Sequence, residues 1–497
     1  MARITKAMIT KRHLVAGAAP LALVLSGCMG GGSIPSASTP ITTTEAQQGA
    51  EYHPQLLAQF GGAMTGSQAQ YVEQVGKNIA VQSGLGNARE SFTVSLLNSP
   101  VNNAFAVPGG YIYTTRQLVT LMNNEAELAG VMGHEVGHVA ARHSQRRQQT
   151  AQRNSILGVL GAIGSSILLG DSGVGETLSR SFLQGSQLLT LRFSRSQETQ
   201  ADDLGIQYLT QAGYDPRAMG TVLASLAAQN SLDAQLQGRD NATVPEWAST
   251  HPDPASRVQR ALGAAQGLPG TVTNRDTFLQ RIDGLLYGDD PEQGVIEGRN
   301  FIHPELRLTF AAPQGFYMVN SSSAVSVNGQ SGQAQLTLAP YNGDLDSYIR
   351  RQFTELGGEN NNLTPQSIER TTVNGIPAAY GQARVNNGNS QVDVTIFAYE
   401  FASNRAYHFA AITPAGRANT FSSMFQSMRR ISASEAAQVI PRRLDVVTVQ
   451  RGDTVAGLAR RMAYDDGQVA RFRVLNGLSA NEGLIAGQKV KIVVRGR

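Results

Sequence analysis

The chain has 497 residues, of which 41% are apolar and 16% charged, with a single cysteine and a formal net charge of +4. That length supports two or three domains, and the composition excludes a polytopic membrane protein, an acidic disordered chain and a disulfide-framework mini-protein. The charge excess lies in Arg3, Lys6, Lys11 and Arg12; past residue 27 there are 37 basic and 37 acidic side chains, so the balance gives no support for a nucleic-acid partner.

Residues 1–12 are basic, and 14–25 form an apolar run of twelve residues, too short for a stable membrane span but suited to a signal-peptide core. The run ends in Leu25-Ser26-Gly27-Cys28, which resembles the bacterial lipobox. The resemblance implies cleavage after residue 27 and acylation of Cys28, and several acyl chains give a stable anchor where one binds only marginally. Met29 rather than an acid at the next position favours the outer membrane. Residues 28–48 are small, polar and proline-punctuated and read as a flexible tether.

Asn124 followed by Glu127 signals a helix start. Within that helix lies His134-Glu135-Val136-Gly137-His138. Histidines at i and i+4 share a face and can offer ring nitrogens to one ion, with Glu135 beside them as the base for a water. Flanking Leu128, Val131, Met132 and Val139 argue that the motif is buried. His143, nine residues after His134, falls on the opposite helical face and is a poor ligand. A second helix starts at Arg195 and carries Glu198 and Asp202 at i and i+4; one can reach the metal while the other orients a liganding histidine.

HEVGHVAARH followed by SRSQETQADDLG resembles the HtpX and CAAX-protease family of zinc metallopeptidases (metallopeptidase family forty-eight), especially its periplasmic lipoprotein branch. Two further segments carry the likeness over residues 50–265: the stretch from Asn103 to Tyr113 resembles the family's cleft-edging strand–turn–strand, and Thr250-His251-Pro252 with Arg257 resembles its His-Pro loop. The resemblance implies a gluzincin-type, mainly helical α+β peptidase domain over 49–270 holding one Zn2+, with Glu198 as third ligand and Asp202 as the partner acid that orients a liganding histidine. Asn103, Ala104, Phe105 and Ala106 would form an edge to which an extended peptide adds as a strand, or else a plain core hairpin. His251 is expected to stabilise the oxyanion, to plug the open coordination position, or to be an ordinary loop histidine. The apolar stretch 156–169, with glycines at 158, 161 and 164, reads as a buried helix, or as a hairpin that touches membrane or clients.

Residues 271–298 read as a helical connector. From 299 to 432 alternating strands and two helical stretches, about 344–357 and 418–430, indicate a second α+β domain, faintly similar to PsbP-like or Mog1-like sandwiches. On its segment 391–399, Val392, Val394, Ile396 and Ala398 share a face. Residues 445–497 resemble a βααβ LysM module, which implies glycan binding, with Gly452, Asp453, Thr454 and Asn476 as candidate contacts. Nine basic residues against five acidic ones in this region suit an anionic wall polymer.

Together these readings give a multidomain outer-membrane lipoprotein facing the periplasm, a zinc metalloendopeptidase for unfolded or misassembled envelope proteins. It would be held to the membrane by lipid and directed to peptidoglycan by its LysM-like end. The alternatives are a peptidoglycan endopeptidase and a non-catalytic chaperone or scaffold.

Overall fold

The computed structural model describes residues 39–86, 89–146, 193–236, 251, 253–357, 363–387 and 390–496. The signal segment, Cys28 and the apolar stretch 156–169 lie outside the described residues. Among the described residues no helix is long and apolar enough to cross a membrane.

The first unit begins inside the expected tether. Helix α1 spans Thr43–Gln59, and its start is fixed by a capping box in which Thr42 and Glu45 satisfy each other's backbone N–H groups. Glu45 is buried and accepts from Arg142 Nε at 3.2 Å, so this part of the tether is tied to the body rather than free. Helix α2, Ser67–Ala80, buries Tyr71, Val72, Val75, Gly76, Ile79 and Ala80 along one stripe. A three-stranded sheet follows from β1 (Thr93–Leu97), β2 (Ala104–Val107) and β3 (Tyr111–Thr115), in the order β1-β3-β2. Pairing of β2 with β3 is antiparallel, leaving β2 at the sheet edge beside the helix Glu125–Ala140.

After the short α3 (Arg116–Leu121) comes α4 (Glu125–Ala140), in which every residue but Val139 is buried. Such a helix needs internal satisfaction at its start, and Asn124 Oδ1 accepts from Glu127 N. Glu125 accepts from Tyr71, Tyr214 and Asn274, tying this first turn to three other segments. Helix α5 (Arg195–Gln211), started by a Ser194–Gln197 capping box, packs directly on α4. Glycines permit the approach: a Cβ at Gly137 would lie 3.0 Å from Ala201 O, and one at Gly205 would lie 3.1 Å from His134 N. Helices α6 (Ala218–Leu236) and α7 (Pro254–Ala264) pack on each other and close this side.

The expected helical connector holds one helix, α8 (Arg275–Ile282), and then becomes extended. Its strand β4 (Leu286–Tyr287) pairs into the C-terminal unit, and strand Val295–Glu297 pairs into the second domain. The stretch is thus a shared seam. In the second domain a seven-stranded antiparallel sheet runs in the order Ile368–Val373, Ile376–Asn387, Ser390–Ala402, Arg405–Pro414, Gly332–Ala339, Val325–Gly329, Tyr317–Asn320. Helix Leu345–Gly357 covers one face, on which Val392, Val394, Ile396 and Ala398 lie together as the alternation predicts. The opposite face, with Phe397, Tyr399 and Phe409, shares a core with Phe301, Leu308 and Phe310 of a four-stranded sheet.

The C-terminal unit is a βααβ fold: β5 (Arg442–Thr448), α9 (Val455–Ala459), α10 (Gln468–Leu475) and β6 (Lys489–Arg495), the two strands antiparallel. Its apolar residues Leu444, Leu458, Phe472, Val490 and Ile492 are continuous with the core around α2 and α4. The unit is therefore built onto the first one.

Candidate metal centre

Close packing of α4 on α5 turns His134 and His138 toward Glu198 and Asp202. His134 Nδ1 lies 2.9 Å from Asp202 Oδ1; a carboxylate only accepts, so Nδ1 carries the proton and Nε2 presents its lone pair. The same orientation is imposed on His138 by a relay the sequence did not disclose. His143 Nε2 lies 3.0 Å from Gln200 Oε1 and donates to it, which leaves His143 Nδ1 to accept from His138 Nδ1 at 2.8 Å. The expectation that His143 occupies the far helical face fails because α4 stops at Ala140 and Arg142 turns the chain with φ 51°.

The two Nε2 atoms stand 3.0 Å apart, and Glu198 Oε1 lies 3.4 Å from His138 Nε2. His251 enters this group: its Nδ1 is 3.2 Å from His134 Nε2 and 3.2 Å from Glu198 Oε1, and its Nε2 is 3.4 Å from Glu135 Oε1. One donor atom from each of His134, His138, Glu198 and His251 lies within 4.8 Å of the others, and all four residues are buried. Tetrahedral bonds of about 2.05 Å place neighbouring nitrogens about 3.3 Å apart, so these spacings fit a zinc-sized ion. Facing lone pairs at this distance repel without a cation between them, which is the second reason that the residues fit a metal. His251 is thus brought into the same buried group as His134, His138 and Glu198.

Burial and charge oppose each other here. Burial raises the Glu135 carboxyl, only partly countered by His251 and His134, and its Oε1 has no hydrogen-bond partner. Burial holds His138 far below the usual imidazole range, which keeps it neutral as a ligand must be. Glu198 resists its own burial because His251, His138 and His134 surround it, and it is held well below the carboxylate range. Burial also opposes ionisation of Asp202, but hydrogen bonds from Arg257 and His134 win and bring it to about 2.

Arg257, on α7, joins the two acids. Its Nε donates to Asp202 Oδ2 at 2.8 Å, Nη2 to Asp202 Oδ1 at 2.5 Å, and Nη1 to Glu198 Oε2 at 2.5 Å. Phe193 lies against the His138 ring with centroids 3.8 Å apart, and no sequence signal pointed to it. An acid-stability prediction follows for the metal-free protein. The folded carboxyl of Asp202 is depressed below its unfolded value of about 3.9, so its stabilisation is present above pH ~4 and lost as pH falls toward 2. Urea midpoints of chelator-treated wild type and Asp202→Asn should differ at pH 5–6 and converge only as pH falls to about 2; a constant gap would contradict this.

The cleft-edge segment is distributed as follows. Asn103 and Ala104 are buried, Phe105 and Ala106 are half-buried on β2, and among the described residues the outer edge of β2 has no strand partner in its sheet. Of the candidate glycan contacts, Gly452 (φ 95°) and Asp453 form the turn before α9, Asp453 Oδ2 accepting from Gln450 N. Thr454 caps α9. Asn476 is buried, with Nδ2 donating to Phe472 O and Lys491 O and Oδ1 accepting from Lys491 N. Both donor positions of its amide are thus engaged inside the fold.

A buried His-His-Glu donor set on two closely packed helices, with the buried Glu135 carboxylate beside it, is the arrangement of a metallopeptidase centre. Residues 66–265 match Peptidase family M48 and residues 447–493 match the LysM domain, so the chain carries a metallopeptidase domain of that family and a LysM domain. The metal its ligands call for is zinc. The chain is 34% identical over 211 residues to a beta-barrel assembly-enhancing protease of Escherichia coli O157:H7, covering 42% of this chain and 41% of that one. To the protein of the same name in Yersinia pestis it is 32% identical over 246 residues, covering 48% and 46%. To the mitochondrial metalloendopeptidase OMA1 of Schizosaccharomyces pombe it is 28% identical over 237 residues, covering 47% and 64%. The chain thus spans less than half the length of the two bacterial relatives.

Proposed function

We propose that the protein is a zinc-dependent metalloendopeptidase acting on unfolded or misassembled cell-envelope proteins. The observation that carries the activity is the buried donor set of His134, His138 and Glu198 with the buried Glu135 carboxylate beside it, whose Oε1 faces His251 Nε2 at 3.4 Å. A zinc ion in this set would polarise the scissile carbonyl and make a water acidic enough to attack at neutral pH. Glu135 takes the proton of the attacking water, and its raised proton affinity lets it hold that proton and return it to the leaving amine. Asp202, and His143 with Gln200 behind it, fix the two imidazoles so that their lone pairs face inward. The open edge of β2 suits an extended backbone, a mode with little sequence demand. We read the peptidase domain as gluzincin-type, because a glutamate of a downstream helix completes the set, and residues 299–432 as sandwich-like, because two sheets share one core.

The closeness of His251 Nδ1 to His134 Nε2 and Glu198 Oε1 supports its reading as a plug of the position a water or carbonyl would take. His251→Ala is expected to raise casein hydrolysis by about tenfold at unchanged zinc content; a large loss would assign it to the transition state instead.

The setting rests on sequence. Cys28 as the acylated first residue would hold the protein to the outer membrane, facing the periplasm. Glycan contact through the LysM domain would use its exposed loops, the turn Gly452–Asp453–Thr454 and the loop carrying Ile485, which is 73% exposed. Purified protein offered β-casein and isolated wall sacculi, with and without a chelator, tests the whole reading. Chelator-sensitive casein cleavage is expected; cleavage of sacculi alone would make it a wall endopeptidase, and client protection without cleavage would make it a scaffold.

A further inference from the structure

Strand β6 reads as a simple alternation in which Val490 and Ile492 face the core of the C-terminal unit, and Lys491 should face water. Instead Lys491 is completely buried. Its ammonium sits at the C-terminal end of α3, donating to the carbonyl oxygens of Thr120 at 2.8 Å, Leu121 at 3.3 Å and Met122 at 2.5 Å. These are groups that a helix end leaves without partners, and a cation is the favoured species there. Asn476 holds the Lys491 backbone from both sides, and a Cβ on the adjacent Gly477 would lie 3.2 Å from Asn123 Nδ2.

The segment so gripped is the one that starts the metal helix. Asn123 N donates to Glu127 Oε2 at 2.7 Å, Asn124 Oδ1 accepts from Glu127 N at 2.9 Å, and Thr221 Oγ1 donates to Glu127 Oε1 at 2.8 Å. Glu127 is the charge that faces Lys491 from α4, and Arg275 is the one that faces it from α8. Burial pushes the Glu127 carboxyl up and the Lys491 ammonium down, and each partner's charge counters the shift of the other.

We propose that Lys491, in the LysM domain, is a positioning residue for the metal centre: it fixes the end of α3 and the first turn of α4, and so the aim of His134, Glu135 and His138. The lever arm is short. Seven helical residues separate Glu127 from His134, a rise of about 10 Å, so a tilt of about 3° at the helix start moves the histidine by about 0.5 Å, the tolerance of a metal site. The LysM domain then serves the peptidase directly, whatever it binds outside. The inference rests on the metallopeptidase reading of the centre.

The test uses the full chain loaded with cobalt(II), whose visible spectrum reports ligand geometry, together with zinc affinity by chelator competition and thermal melting. Lys491→Met is expected to shift the cobalt bands and weaken zinc by about 10-fold or more, as loss of other groups behind a metal ligand does. Unchanged bands and zinc affinity alongside a lowered melting temperature would make Lys491 a stability residue only and overturn the proposal. Should Lys491→Met fail to fold, Glu127→Gln, which keeps the shape and removes the charge, is measured instead, and an unaltered spectrum there has the same force. A wild-type protein that binds neither metal would defeat the metallopeptidase reading itself, an outcome distinct from a wild type that binds and a variant that binds identically.

Discussion

Glu135→Gln should retain its zinc and lose about three orders of magnitude in turnover of an unfolded protein such as β-casein. The amide matches the carboxylate in size and leaves His134, His138 and Glu198 untouched, so the donor set is preserved. What it lacks is a site for the proton of the attacking water. The wild-type carboxylate is suited to that proton by burial, and its Oε1 is not engaged by any hydrogen bond. Zinc content and casein turnover, measured on the same preparation, separate the cases: equal zinc with lost turnover identifies a base, lost zinc identifies a structural contribution, and retained turnover ends the proposed mechanism.

The second large effect concerns Arg257→Met. In the wild type a guanidinium makes three hydrogen bonds to two buried carboxylates, joining α7 to α5 beneath the metal ligands. Methionine fills much of the volume but leaves Asp202 and Glu198 without their cation. Removing one partner of a buried ion pair costs about 3–5 kcal/mol, much more than the pair contributes relative to an apolar replacement of both. A melting temperature lower by about 10 °C is the expected reading for a unit of this size. The same variant should bind zinc more weakly, because Asp202 would hold a proton more readily and orient His134 less firmly. Lysine should not rescue it, since a single ammonium cannot reproduce the fork. Wild-type melting and zinc affinity in the methionine variant would refute the role.

The donor chemistry was legible because helical periodicity projects residues four apart onto one face: His134 with His138, and Glu198 with Asp202. Which acid faces the metal came from the family likeness rather than from spacing. The His143 relay was not legible, since it depends on where α4 ends and on a left-handed turn at Arg142 that no local pattern announces. Tether and connector were misjudged for a related reason. Low hydrophobicity suggested free chain from 43 to 48, yet the Arg142–Glu45 pair holds that stretch through contacts nearly a hundred residues apart in sequence. Nor was the burial of Lys491 legible, since it lies on the face of β6 opposite Val490 and Ile492 and only the covering peptidase domain takes it out of water.

The shared core of the peptidase and LysM domains has a consequence for biosynthesis. Strand β6 is made after every other element described here, and β4, α3 and the start of α4 all pack against the unit that contains it. A growing chain can hold every zinc ligand and the base, yet still lack the partner for the α3 carbonyls until residue 491 has emerged. Until then the carbonyl oxygens of Thr120, Leu121 and Met122 lack the ammonium that donates to them in the finished fold, so the start of the metal helix is the last part of the first unit to gain its full set of contacts.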